Sequence, residues 1–214
     1  IIKVVFGIRR CGKSTLFRLF KDELLAEGVK PEQIISINFE ELEYEPLREY
    51  HALYQYILNQ MQPNQMNYIF LDEIQHVDQF HRVVDSLFVK ENTDIYITGS
   101  NAYFMSSDIA TLLTGRYVEI QMLPLSFAEF YYSKYEEQQY SLIPAYEAYL
   151  RESSFPYTQQ LGGEDFDIQE YLRGLFNTLL LHDVVARLKI NDVMILQDIV
   201  RYIMANVGSL LSPN

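Results

Sequence analysis

The sequence has almost no cysteine, no long apolar run and too few basic residues to balance its acids. Its single cysteine, Cys11, excludes an intramolecular disulfide framework. No uncharged apolar run approaches the roughly 20 residues that a membrane-spanning helix needs. The chain opens on a strand-like apolar run and lacks the pattern of a signal peptide. We therefore expect a protein of the reducing cytoplasm that makes no membrane contact.

The charge balance disfavours one broad class of function. The 29 Asp and Glu residues outnumber the 17 Lys and Arg residues, which gives a formal net charge of −12. A protein that binds nucleic acid mainly through the phosphate backbone carries an excess of basic residues. A local basic patch is still compatible with this composition. Apolar residues make up 49% of the 214 residues, which is enough for a substantial core.

A glycine-rich octapeptide near the start is the most informative motif. Residues 7–14, Gly-Ile-Arg-Arg-Cys-Gly-Lys-Ser, fit G-x-x-x-x-G-K-[ST] without a mismatch. A β-branched apolar run precedes the motif, and residues 14–20 carry apolar side chains at helical spacing. In that context, backbone N–H groups and the helix N-terminus converge on phosphate oxygens. The motif therefore predicts a phosphate-binding loop.

The expected ligands are ATP and Mg²⁺. Lys13 is expected to reach the β- and γ-phosphates, and the Ser14 hydroxyl to ligate the metal. Thr15 is better explained as a helix-start residue, and Cys11 as a tolerated loop residue rather than a redox switch. At least one of the two loop arginines is expected to be solvated. The predicted nucleotide-binding residues are Gly7, Ile8, Arg9, Arg10, Cys11, Gly12, Lys13, Ser14 and Thr15.

Strand-like and helical patterns alternate through the first 125 residues. Five apolar runs predict strands at 1–6, 34–40, 68–73, 94–100 and 117–122. Helical patterns follow the glycine loop, then run from Pro46 to Met61, around 80–88 and near 107–113. This alternation predicts an α/β fold with a parallel five-stranded sheet flanked by helices. Ligands in such sheets bind beyond the carboxyl ends of the strands.

The strand signal stops near residue 125. We expect an ATPase core over residues 1–125 and an all-helical, lid-like segment over 126–214. Helical patterns there extend from Phe127 to Tyr149 with a break at Pro144, from Asp167 to Lys189, and from Asp192 to Val207. The tyrosines of the first pattern have Lys134 as their only basic neighbour, so helix packing explains them better than base stacking.

The third predicted strand ends in two carboxylates, which is the pattern of a Walker B element. Asp72 is expected to hold Mg²⁺, directly or through water. Glu73 is placed to orient and deprotonate the water that attacks the γ-phosphate. Such a pair can also cap the next helix. The phosphate loop about 58 positions earlier favours the catalytic interpretation.

Three further residues are candidates with serious alternatives. Ser100, and after it Asn101, are candidate sensors of the γ-phosphate at the end of the fourth strand, where a plain turn is the alternative. Arg116 precedes the fifth strand and is suited to stabilise transition-state charge, within the chain or across a subunit interface. A surface salt bridge is the competing interpretation. The four histidines lack the spacing of a zinc helix and are interpreted as structural or solvated.

Four segments in order, residues 2–16, 68–75, 95–101 and 112–120, carry a family resemblance. The chain resembles AAA+ superfamily ATPases of bacteria and archaea in which an ATPase core precedes a winged helix and a nuclease-like C-terminal domain. The resemblance is most specific through residue 125. It implies a sheet in which the sensor strand lies between the phosphate-loop and Walker B strands. It supports the roles of Lys13, Ser14, Asp72, Glu73, Ser100 and Arg116.

The chain departs from the family pattern in two places. Residues 153–156, Ser-Ser-Phe-Pro, stand where family members often have Gly-Gly-Phe-Pro. Residues 209–214 resemble the entry to the family's winged helix, which is truncated here. The resemblance implies that DNA contact would come through that winged helix. It also implies a homo-oligomer, because many such ATPases complete their sites between subunits.

The function expected from these observations is Mg²⁺-dependent ATP hydrolysis coupled to a conformational change in attached C-terminal domains. The main alternative is a regulatory switch with little turnover, whose bound nucleotide controls DNA or partner binding. A small-molecule phosphotransferase is a weaker alternative. Its arginine-rich lid is not indicated, because the arginines of the helical segment at 151, 173, 187 and 201 are widely spaced.

Overall fold

The computed structural model describes residues 1–100, 113, 115–135, 140–161, 165–179, 185 and 192–209, with Ser100 and Asp165 described by their backbone only. It forms two compact units, Ile1–Gln160 and Leu161–Asn214. The helix predicted near 107–113 lies outside the described residues, apart from Leu113.

A five-stranded parallel sheet forms the centre of the first unit. Its strand order is β2-β3-β4-β1-β5, and every neighbouring pair is parallel. The predicted α/β class and all five predicted strands are confirmed. Strand β4 lies between β1 and β3, as the family resemblance implied. The strands are β1 (Ile2–Gly7), β2 (Ile34–Asn38), β3 (Asn67–Asp72), β4 (Thr93–Ser100) and β5 (Tyr117–Met122).

Helices connect and follow the strands of this unit. The connecting helices are α1 (Lys13–Ala26), α2 (Tyr50–Gln60) and α3 (Phe80–Phe88). After β5 come α4 (Phe127–Tyr135), α5 (Leu142–Glu152) and the short 3₁₀ helix Pro156–Gln160. The second unit contains α6 (Asp165–Thr178) and α7 (Val193–Ala205). Among the described residues, no helix has both the length and the apolar character that a membrane crossing requires.

Two predictions about prolines were wrong. Pro46 does not open a helix; it lies inside the 3₁₀ helix Leu42–Arg48. Helix α2 begins at Tyr50 because the Glu49 carboxylate accepts hydrogen bonds from the N–H groups of the first turn. Pro144 does not break a helix either. It lies in the first turn of α5, where its missing N–H costs no intrahelical hydrogen bond.

The division predicted near residue 125 stays a prediction. Strand β5 does end at Met122, as the loss of strand signal suggested. However, α4 and α5 belong to the same compact unit as the sheet. The Leu125 N–H donates to the Ser154 carbonyl at 2.8 Å, and the Tyr149 hydroxyl donates to the Leu125 carbonyl. These bonds attach the two helices to the chain where it leaves β5.

An aromatic cluster fixes α1 against the sheet. Phe17 of α1 meets Phe70 of β3 edge-on, with ring centroids 5.2 Å apart. Phe70 stacks on Tyr96 of β4 at 4.8 Å, and Phe20 of α1 contacts Tyr96 at 5.2 Å. Phe17 and Phe70 are buried. Because α1 begins at the glycine loop, this cluster also sets the position of that loop over the sheet.

We expect Phe70→Ala to lower the free energy of unfolding by about 3–5 kcal/mol, because it leaves a cavity between α1 and the sheet. Urea denaturation measures the change. Leu19→Ala, on the exposed face of the same helix, is the control and should change stability by no more than about 0.5 kcal/mol. Similar losses in the two variants would contradict the role given to the cluster.

Candidate active site

The phosphate loop joins the carboxyl end of β1 to the amino end of α1. Its two glycines are needed for different physical reasons. Gly7 has a strand conformation, but a Cβ on it would lie 2.2 Å from the Met122 carbonyl oxygen of β5. Gly12 has φ 108°, a left-handed backbone conformation that residues with a side chain rarely adopt. Gly7 is therefore needed because a side chain would not fit against β5, and Gly12 is needed because the loop turns there with a positive φ.

Cys11 fills the inside of the loop. Its side chain is buried, and its Sγ lies 2.9 Å from the position that a Cβ on Gly7 would take. Burial raises the pKa of the Cys11 thiol. A raised pKa leaves less of the nucleophilic thiolate at neutral pH. These facts favour a packing role for Cys11 over a redox switch.

Lys13 is the buried cation of the loop. It is the first residue of α1 and only 4% exposed. Its Nζ donates to the carbonyl oxygens of Gly7 at 3.2 Å and Ile8 at 3.4 Å. The same Nζ lies 3.6 Å from Oε1 of Glu73. The structure therefore brings together the predicted phosphate-binding lysine and the predicted catalytic base.

The two carboxylates of the predicted Walker B element lie at the carboxyl end of β3. Asp72 is the last residue of that strand, and both it and Glu73 are buried. Glu73 has φ 53°, a left-handed conformation that is uncommon for a residue with a side chain. Strained backbone of this kind persists where surrounding contacts impose it, and it concentrates at functional sites.

Thr98 supplies the contacts that impose this conformation. Its hydroxyl donates to Oδ1 of Asp72 and accepts a 2.9 Å hydrogen bond from the Glu73 N–H. Thr98 is fully buried within β4. Sequence reasoning assigned Thr98 no role. A hydroxyl inside an apolar strand was the available signal, and its partner became evident only from the β3–β4 pairing.

The candidate sensors are only partly described. In the register of the sheet, Ser100 is paired with Gly7, so its backbone lies beside the start of the phosphate loop. The Ser100 side chain and the whole of Asn101 lie outside the described residues. Their role as sensors stays a prediction.

Arg116 lies at the opposite edge of the sheet. Its carbonyl accepts a 3.0 Å hydrogen bond from the N–H of Ile2, at the start of β1. Because β1 and β5 are parallel, the five residue-to-residue steps from Ile2 to Gly7 separate it from the phosphate loop by about 16 Å. Its guanidinium lies near α3, 4.0 Å from Oδ1 of Asp85 and 5.6 Å from the centre of the Phe88 ring. This position is far from the phosphate loop of its own chain, and the role of Arg116, within the chain or across subunits, stays a prediction.

The remaining loop residues surround this centre. Ser14 and Thr15 are exposed in the first turn of α1. Arg9 lies 3.9 Å from Glu40, and Arg10 is exposed with φ 63°.

No group of three or more His, Cys, Asp and Glu side chains able to hold a metal occurs in the described part of the chain. The Ser14 hydroxyl and the Asp72 carboxylate are hard oxygen donors of the type that Mg²⁺ uses when phosphates and water complete its shell.

We expect Thr98→Val to destabilise the protein by about 1–3 kcal/mol, since it leaves the buried Glu73 N–H and an Asp72 oxygen without their partner. Thr98→Ser keeps the hydroxyl and is the matched control. Urea denaturation of the two variants checks the expectation. A Thr98→Val protein as stable as the Thr98→Ser protein would show that the hydroxyl does not hold the carboxylate pair.

The chain matches parts of two longer curated proteins. It is 38% identical over 216 residues to an uncharacterized protein of Haemophilus influenzae, a match that covers 100% of this chain and 53% of that protein. It is 33% identical over 224 residues to an uncharacterized protein of Methanocaldococcus jannaschii, covering 96% of this chain and 47% of the relative. The chain thus spans about half the length of the curated relatives that it matches.

The family is shown by a model of the AAA domain that matches residues 1–131. Among solved structures, the crystal structure of Cdc6p from Pyrobaculum aerophilum aligns with a TM-score of 0.41 and 16% identity, over 82% of this chain and 55% of that one. A TM-score of this size adds nothing to the assignment. The sheet order, the phosphate loop and the family match agree, and the chain belongs to the AAA domain family of P-loop ATPases.

Proposed function

We propose that this chain is a Mg²⁺-dependent ATPase that hydrolyses the β–γ bond of ATP. The observation that carries the proposal is the distance of 3.6 Å between Lys13 Nζ and Glu73 Oε1 at the carboxyl edge of the sheet. Lys13, the predicted phosphate-binding cation, and Glu73, the candidate general base, come from separate elements of the fold and lie close together at this edge. Family membership supports nucleotide binding, and this geometry supports turnover.

The chain's own groups have distinct tasks in this proposal. Loop N–H groups and the amino end of α1 bind the phosphates, and Lys13 neutralises charge on the β- and γ-phosphates. Glu73 accepts a proton from the attacking water. Asp72 and Ser14 would hold Mg²⁺, which supplies further charge neutralisation when bound. Burial of Lys13 and Glu73 strengthens their electrostatic interactions.

We also propose that the state of the phosphate loop is transmitted to the helices after β5. A Cβ on Gly12 would lie 3.1 Å from Met122 Cε and 4.0 Å from Pro156 Cγ. Pro156 follows a turn in which Ser153 has φ 76°, a conformation that favours glycine. A change in the loop would therefore press on this turn. The attached C-terminal domains that the family resemblance implies would receive the movement.

Glu73→Gln should lower kcat for ATP hydrolysis at least about 100-fold, because the amide cannot take the proton from water. Nucleotide affinity should change little, since Lys13 and the loop backbone remain. A steady-state phosphate-release assay and isothermal titration with ATP measure the two quantities.

Lys13→Ala provides the contrasting variant, because it should weaken ATP binding at least about tenfold by removing the loop cation. Unimpaired hydrolysis by Glu73→Gln would contradict the assignment of the base. Turnover by the unmodified protein at background level, with intact ATP binding, would instead favour the regulatory switch.

We further propose that Arg116 acts on the nucleotide of a neighbouring subunit in a homo-oligomer. Its position at the amino edge of the sheet, far from the loop of its own chain, supports this proposal. A partly exposed guanidinium near Asp85 at 4.0 Å is available to a partner site. The proposal does not depend on the identity of any other partner.

Mixing Arg116→Ala protein with Glu73→Gln protein should restore hydrolysis that each variant lacks alone. A mixed interface combines an intact Glu73 from one subunit with an intact Arg116 from the other. Activity of the mixture at the sum of the separate variants would contradict the role across subunits. Arg173→Ala, a surface arginine paired with Glu170, is the control and should hydrolyse ATP normally. Size measurement with and without ATP reports the oligomer directly.

A further inference from the structure

Gln75 contacts the candidate catalytic base and has no role in the function described so far. It lies in the short 3₁₀ helix Ile74–His76 that follows Glu73. Its Nε2 donates a hydrogen bond to Oε2 of Glu73. Lys13 faces the other oxygen, Oε1, at 3.6 Å. The two oxygens of the carboxylate are thus engaged by two different side chains.

The orientation of the Gln75 amide follows from its chemistry. A carboxylate only accepts hydrogen bonds, so the amide must turn its N–H₂ group toward Glu73 and its carbonyl oxygen away from it. That carbonyl oxygen, Oε1, is buried and has no hydrogen-bond partner among the described residues. A buried acceptor without a donor costs about 1–3 kcal/mol, so such an atom needs an explanation.

Further contacts show that Glu73 is held in place rather than simply accommodated. Its N–H donates to Thr98 Oγ1 at 2.9 Å, and its backbone has φ 53°. Backbone, Oε1 and Oε2 are each fixed by a different neighbour. A general base needs this degree of placement, because it must meet one proton of one water molecule.

We propose that Gln75 positions the Glu73 carboxylate and orients the water that attacks ATP. The N–H₂ group holds Glu73, and Oε1 is the acceptor for the water's second O–H. This inference rests on the proposed ATPase function, since it assigns a role in the same reaction.

The step balances with ATP and water as the only reactants. The water oxygen forms the new bond to the γ-phosphorus with its own electron pair. One water proton passes to Glu73, while the second stays on the oxygen and is directed at Gln75 Oε1. The bond from the γ-phosphorus to the bridging oxygen breaks, and its electron pair leaves with ADP. Phosphate departs, and Glu73 returns its proton to solvent.

The test uses Gln75→Leu, which keeps the approximate volume and removes both amide groups. We expect kcat to fall about 10–100-fold while the Kd for ATP stays within about twofold. The thermal midpoint should not fall, because the substitution also removes an unpartnered buried acceptor. Gln75→Asn keeps a donor and an acceptor and should recover part of the lost kcat. Gln55→Leu, an exposed glutamine on α2, is the matched control with unchanged kcat.

A double variant separates positioning from an independent effect. Because Gln75 contacts both Glu73 and the water in this proposal, the loss in Glu73→Gln/Gln75→Leu should be smaller than the product of the two single losses. A double variant slower by the product of the two single effects would overturn the proposal. So would a Gln75→Leu protein with lowered thermal midpoint and weakened ATP binding, which would indicate a structural role.

The same assays distinguish this inference from the function on which it rests. Normal kcat in Gln75→Leu beside a large loss in Glu73→Gln would overturn the role of Gln75 and leave the ATPase proposal standing. Background turnover by the unmodified protein would overturn both.

Discussion

A buried ammonium group is the constraint on which the rest of the site depends. Lys13 is 4% exposed, and a charge removed from water must be compensated by nearby dipoles or an opposite charge. The Gly7 and Ile8 carbonyls supply the dipoles, and Glu73 supplies the charge. These partners belong to the end of β1 and to the residue after β3. Compensation of one charge therefore requires that the two strands end at the same edge of the sheet.

The parallel sheet meets this requirement through close packing at its carboxyl edge. Gly7 lies so near the Met122 carbonyl that no side chain fits there, and Cys11 fills the space inside the loop. Thr98, on the strand between β1 and β3, ties Asp72 and Glu73 to the same edge. The aromatic cluster around Phe70 packs α1 against the sheet. Each of these features fixes the position of a loop or side chain of the site and contributes no chemical group of its own to the proposed reaction.

Much of this arrangement was predictable from local pattern. The spacing of apolar residues predicted the strands and most of the helices. The phosphate loop and the carboxylate pair were predicted from their motifs and from the residues on either side of them. The errors concern interactions that local pattern does not express. Pro46 was expected to open α2, but the Glu49 carboxylate caps that helix one turn later. The position of Arg116 was a different case, because the sequence left its role within the chain or across subunits open and only the direction of β5 placed it at the far edge of the sheet.

The sequence by itself determined the chemistry: a loop for phosphate, a lysine, two carboxylates and the order of strands and helices that brings them to one edge. It did so because motif and periodicity are local, and each is set by neighbours within a few residues. Only the tertiary structure decided how Glu73 is held, which residue ties the carboxylates together and which side of the sheet Arg116 faces. Those outcomes depend on strand order and on contacts between residues 25 or more positions apart, such as Thr98 with Glu73. The phosphate loop was therefore evident in the chain, whereas the network that holds Glu73 was not.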